Sequence, residues 1–92
     1  MAVRVKVPTI MRKFVGGQAI VEASEGGTLR ELIDVLDGRY PGIRGSILDG
    51  DGGLRRFVNV YVNDEDVRYL GALETEVQEG DTVSILPAVA GG

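Results

Sequence analysis

Neither cysteine nor histidine occurs among the 92 residues of this chain. Without cysteine, disulfides and side-chain thiolate chemistry are excluded, and the composition fits a reducing compartment. Without histidine, the commonest general base and the commonest transition-metal ligand are lost together. A hydrolase triad or a zinc site is therefore not expected. No apolar run approaches the roughly 20 residues of a membrane helix. The start, Met1-Ala2-Val3-Arg4-Val5-Lys6-Val7, alternates where a signal peptide would carry an apolar block. These absences predict a soluble, cytoplasmic protein that engages no membrane and no metal.

Positive charge is also in deficit: 10 Lys and Arg stand against 14 Asp and Glu, a net charge of −4. Phosphate backbones repel such a chain, which argues against nucleic acid as a partner. The imbalance is concentrated between Asp64 and Asp81, where Arg68 is the only basic residue among Asp64, Glu65, Asp66, Glu74, Glu76, Glu79 and Asp81. That stretch is either a solvated face that keeps the protein in solution or a surface for a basic partner.

Apolar residues make up 43% of the chain and charged residues 26%, which is globular composition and, at this length, a single core. Val3, Val5 and Val7 alternate with Arg4 and Lys6, the period of a half-buried strand that Pro8 ends. Gly16-Gly17 supplies a turn, and Gln18 to Ala23 reads as a second strand antiparallel to the first. Gly26-Gly27 breaks it. Thr28 and Glu31 then have the spacing of a capping box, and Leu29, Leu32, Ile33, Leu36 and Tyr40 fall on one helical face. Gly38 suits the left-handed position after that helix, and Pro41 forbids continuation.

Residues 42–53 read as a loop, with Ile47-Leu48 tucked inward and Asp49-Gly50-Asp51-Gly52-Gly53 as a flexible tip. Phe57 to Val62 is the strongest strand: Val58, Val60 and Val62 point one way, and Phe57, Asn59 and Tyr61 the other. Val67 to Leu70 reads as a short strand, and Thr82 to Leu86 as the last one, closed by Pro87. One amphipathic helix on one face of a mixed sheet is a two-layer α+β domain of β-grasp type. Its body spans 1–87, and residues 88–92 form a small, uncharged, flexible tail.

The stretches from Arg56 to Arg68 and from Val83 to Gly92, together with Val7-Pro8-Thr9-Ile10, resemble the ubiquitin-like sulfur carriers, the group that includes ThiS, MoaD and CysO. The likeness is nearest to the CysO-type carriers of cysteine synthesis. It implies that the chain is no enzyme but a substrate of others and binds no cofactor itself. An ATP-dependent activating enzyme, an adenylating sulfurtransferase, would adenylate the Gly92 carboxylate, and a sulfur donor would displace AMP to leave a thiocarboxylate. A sulfur-accepting synthase, of the O-phosphoserine-dependent kind in cysteine synthesis, would take the sulfur, and a metalloprotease would release the cysteine formed. Carriers for molybdopterin, thiamin or thiosugar synthesis, ubiquitin-like protein modifiers and plain β-grasp interaction modules share the arrangement.

The chemistry suits the residues. Gly91 and Gly92 have no Cβ, so the backbone can approach a nucleotide site closely. Ala88, Val89 and Ala90 keep the tail narrow, and five extended residues reach about 18 Å. Phe57 and Tyr61, with Leu86 and Pro87 at the root of the tail, are the candidate partner-binding residues. Competing motifs fail. In the Asp49–Gly53 run, Gly53 replaces a calcium ligand and Val60 stands where a bidentate glutamate belongs. Ser24, Ser46 and Ser84 have no histidine to activate them.

Overall fold

A computed structural model describes residues 2–23 and 27–87. The expected break at Gly26 and the tail from Ala88 to Gly92 lie outside the described residues.

The chain opens with β1 (Val3–Lys6), whose Val3 and Val5 are buried while Arg4 and Lys6 are exposed. A 3-10 helix over Thr9–Val15 follows, burying Met11 and Val15 and closing on Gly16 at φ 66°. It leads into β2 (Ile20–Ala23), antiparallel to β1 with Val5 opposite Val21. Next come β3 (Gly27–Thr28), α1 (Leu29–Arg39) and α2 (Ile43–Ile47). The second half contains β4 (Val58–Val62), β5 (Glu65–Asp66), β6 (Glu76–Val77) and β7 (Thr82–Pro87).

Five strands form one sheet in the order β2-β1-β7-β4-β5, and β3 pairs with β6 in a separate two-stranded ladder. Within the large sheet β1 and β7 run parallel, while β7 and β4 are antiparallel with Val60 opposite Ile85. The sheet is mixed, as the sequence predicts. Leu29, Leu32, Ile33 and Leu36 of α1 and Ile47 of α2 close over Val5, Val60, Val83 and Ile85 around a void of about 10 Å³. That is at or below the space a single water needs. That void has no room for a ligand.

The helix starts as the capping box predicts. The Thr28 amide donates to Glu31 Oε1 at 2.9 Å and the Glu31 amide to Thr28 Oγ1 at 3.2 Å, satisfying two donors that have no intrahelical partner.

Its end differs from expectation. Gly38 lies inside α1, which runs to Arg39, and the left-handed glycine is Gly42 at φ 102°. Pro41, which disfavours helical geometry in the residue before it, sets the end. The region read as a loop contains α2, with Ile43 and Ile47 buried one turn apart. Ile47 and Leu48 are buried as expected. The tip at 49–53 is a turn in which the Asp49 amide donates to the Gly53 carbonyl at 2.8 Å. Val67–Leu70 is not a strand: Val67–Tyr69 is a 3-10 turn, started by the Asp66 carboxylate accepting from the Arg68 amide at 2.9 Å. The short strand that does pair is β5 just before it, reached through the two-residue turn Asn63-Asp64.

Candidate docking face and tail root

Strand alternation decides which residues face away from the helices. Val58, Val60 and Val62 are buried, while Asn59 and Tyr61 are half-buried on the other face. Ladder register extends that open face across the sheet. Tyr61 stands opposite Ser84 and Asn59 opposite Leu86; Ser84 neighbours Lys6, and Thr82 neighbours Arg4; Lys6 stands opposite Ile20. The open face is therefore apolar at Ile20, Tyr61 and Leu86 and basic at Arg4 and Lys6, with the acidic Glu22 opposite Arg4 and Asp66 opposite Tyr61. Ile20 and Leu86 are each 47% exposed, so this face presents apolar side chains to solvent.

The four predicted partner-binding residues divide. Tyr61 and Leu86 share the open face. Pro87 pairs with Val58, so its side chain belongs to the opposite parity, and it is exposed at the strand's end. Phe57 lies just before β4 and is 55% exposed, lining a groove with Ile10 and Phe14. Pro87 is also the last described residue, so the predicted reactive end at Gly92 and its neighbours Ala88 to Gly91 fall beyond the geometry.

Two contributors escaped the sequence reading. Ile20 had a signal, since Val21 and Ala23 take the buried positions of β2 and leave Ile20 outward. Arg68 had none. Its guanidinium donates to Asn59 Oδ1 at 2.5 Å, to the Val58 carbonyl at 2.8 Å and to the Arg55 carbonyl at 3.2 Å. It braces β4 beside the root of the tail, where β5 is too short to reach, and so occupies part of an otherwise open strand edge.

The acidic stretch is partly spent on local structure. Asp81 accepts from Asn63 Nδ2 and from the Gln78 amide, both at 2.9 Å, and Glu74 pairs with Arg30 at 3.1 Å. Asp49 Oδ1 accepts from the amides of Asp51 and Gly53, a use that suits a turn. Among the described residues no cluster of His, Cys, Asp and Glu is placed to hold a metal, and no helix is long and apolar enough to cross a membrane.

Against known proteins the whole chain finds matches. It is 53% identical to the sulfur carrier protein CysO of Mycobacterium tuberculosis over an alignment covering all of both chains. It is 40% identical, again over all of both, to a putative sulfur carrier protein of Archaeoglobus fulgidus. Among solved structures, a chain of the BexX/CysO complex of Amycolatopsis orientalis superposes with a TM-score of 0.91 at 54% identity, covering 99% of this chain and all of that one. The ThiS family profile matches residues 5–92. The close superposition also bears out the β-grasp architecture. On full-length similarity and shared fold together, this chain belongs to the ThiS family.

Proposed function

We propose that the protein is a cytoplasmic sulfur carrier of the CysO type, a cosubstrate of other enzymes, whose reacting group is the Gly92 carboxylate. A carboxylate is a poor electrophile. An ATP-dependent activating enzyme joins it to AMP with loss of pyrophosphate, and a sulfur donor then forms the C–S bond as the bond to AMP breaks. On a partner synthase the thiocarboxylate sulfur bonds to Cβ of an activated serine such as O-phosphoserine as phosphate leaves. An S-to-N acyl shift leaves cysteine amide-linked to Gly92, and a metalloprotease hydrolyses that amide, freeing cysteine and restoring the carboxylate.

The observation that carries this reading is the placement of β7. This strand lies in the sheet between β1 and β4 and ends on exposed Leu86 and Pro87, five residues before Gly92. The folded body thus holds the root of the tail rigidly, and the open face at Tyr61 and Leu86 gives an activating enzyme something to grip. Docking of that face offsets the cost of ordering the tail, about 1–2 kcal/mol per residue. The full-length likeness to proteins named sulfur carriers supports the same reading.

The test is intact-mass measurement after incubation with the cognate activating enzyme, ATP and sulfide. One oxygen-to-sulfur exchange is expected, and none when Gly92 is deleted. A truncated chain that is still thiolated would place the reactive carbon elsewhere. The pathway is tested by loss of the protein, which should leave cells dependent on added cysteine.

A further inference from the structure

The 3-10 helix over Thr9–Val15, the end of α2 and the segment leading into β4 surround a groove of about 550 Å³. Its exposed apolar contributors are Ile10, 63% exposed, and Phe57, 55% exposed. Lys13, Arg55 and Arg56 border it, against one carboxylate, Asp49. Asp49 Oδ1 already accepts from the amides of Asp51 and Gly53 at 2.9 and 3.2 Å. The three cations outnumber that carboxylate and make a net basic patch on a chain whose net charge is −4. Two of them are also held in place. Arg55 Nε donates to the Gly45 carbonyl at 2.7 Å, which does not engage its terminal nitrogens. Lys13 Nζ sits 5.4 Å from the centre of the Phe14 ring, within cation–π range. Among the described residues none of the three is in an ion pair.

We propose that this groove docks an acidic peptide segment of a partner protein, with one large apolar side chain seated between Ile10 and Phe57 and carboxylates on either side meeting Lys13, Arg55 and Arg56. The sign of the rim selects the partner's charge, since complementary fields favour encounter and like charges oppose it. The apolar floor selects a peptide over a free anion, because a phosphate would leave Ile10 and Phe57 uncovered. Position adds a third argument, which alone rests on the proposed function. Val58 lines the groove and stands opposite Pro87, so a protein receiving the chain's end passes within reach of it.

The experiment titrates the isotope-labelled full chain with a synthetic peptide, Leu-Phe flanked by two glutamates on each side, and with its lysine-flanked counterpart, following backbone amide signals. Shifts are expected at Ile10, Lys13, Arg55, Arg56 and Phe57. Binding should weaken with salt and be roughly tenfold weaker for the lysine peptide and for the Lys13→Glu, Arg56→Glu double variant. Equal binding of both peptides, no binding, or shifts confined to Lys6, Ser84 and Leu86 would overturn the proposal. So would groove amides that move when residues 88–92 are removed without peptide, which would make the chain's own tail the occupant. Self-association that disappears in the double variant would do the same in favour of a second copy. None of these readouts depends on thiolation.

Discussion

Val58 and Pro87 stand opposite each other at the end of the β4–β7 ladder, and Val58 is only 5% exposed. Among the described residues the last core member of β7 is Ile85, two residues before Pro87, which is itself exposed. Truncation after Pro87 should accordingly leave thermal stability within about 3 °C of the full chain, the shift that some 0.5 kcal/mol produces in a domain of this size. Gly91→Val should be equally stable yet lose roughly a hundredfold in thiolation rate, the scale of cost for displacing a reacting group by an ångström. Calorimetry and single-turnover mass measurements check the two halves.

Leu86 lies on the open face, 47% exposed, opposite Asn59. Leu86→Asp removes an apolar anchor without touching the core. Binding to the activating enzyme should weaken by roughly tenfold or more, as for a central interface residue, while urea unfolding stays unchanged. A variant that binds normally would move the dock away from this face.

Asn63 and Asp64 form the β4–β5 turn with φ of 50° and 72°, the sign that a two-residue hairpin turn requires at both positions. Asn63 also donates to Asp81 at 2.9 Å and accepts from the Thr82 amide at 3.0 Å. Asn63→Ala should destabilise by about 1–2 kcal/mol, through both lost hydrogen bonds and left-handed strain. Asp64→Gly removes only strain and should be neutral or stabilising by up to about 0.5 kcal/mol. Denaturant melts read both.

Gly42 has φ 102°, and a Cβ there would come within 2.9 Å of the Phe14 ring. Gly42→Ala should cost about 2 kcal/mol or more by combining left-handed strain with a clash. The ring lines the basic groove, so amide signals around Ile10 and Lys13 should shift as well.

Legibility followed the range of the interactions that make each element. The valines of β4 and the Thr28–Glu31 cap act within a few residues, so their pattern is visible in the sequence, and the α+β arrangement follows from them. The segment Thr9–Val15 has two buried residues, Met11 and Val15, in a seven-residue 3-10 helix. Two such positions are too few to show a period. α2 has five residues with Gly45 among them, a poor helix by propensity, held by burial of Ile43 and Ile47. The β3–β6 pairing joins Thr28 to Glu76, far apart in sequence and without an alternating run at either end. Gly38 misled because glycine favours a helix end only where the chain needs a left-handed turn, and that need arises at Gly42.

The same reason divides the candidate site. Tyr61 was legible from alternation in β4, and Leu86 from its place at the end of the last strand. The Ile10–Phe57 groove was not, because it exists only where three segments of unrelated sequence meet. Arg68 was invisible because its partners, the Val58 and Arg55 carbonyls, are backbone atoms that any sequence would supply.

The parallel pairing of β1 with β7, with β7 set between β1 and β4, has a consequence for synthesis. During translation the middle lane of the sheet is vacant until residues 82–87 leave the ribosome, so the β2–β1 and β4–β5 pairs cannot join into one sheet. A product broken off before that strand would offer neither the apolar grip nor a fixed anchor for a tail. The central lane is thus the last piece of the sheet to be made, and the five-stranded arrangement cannot close before synthesis is nearly finished.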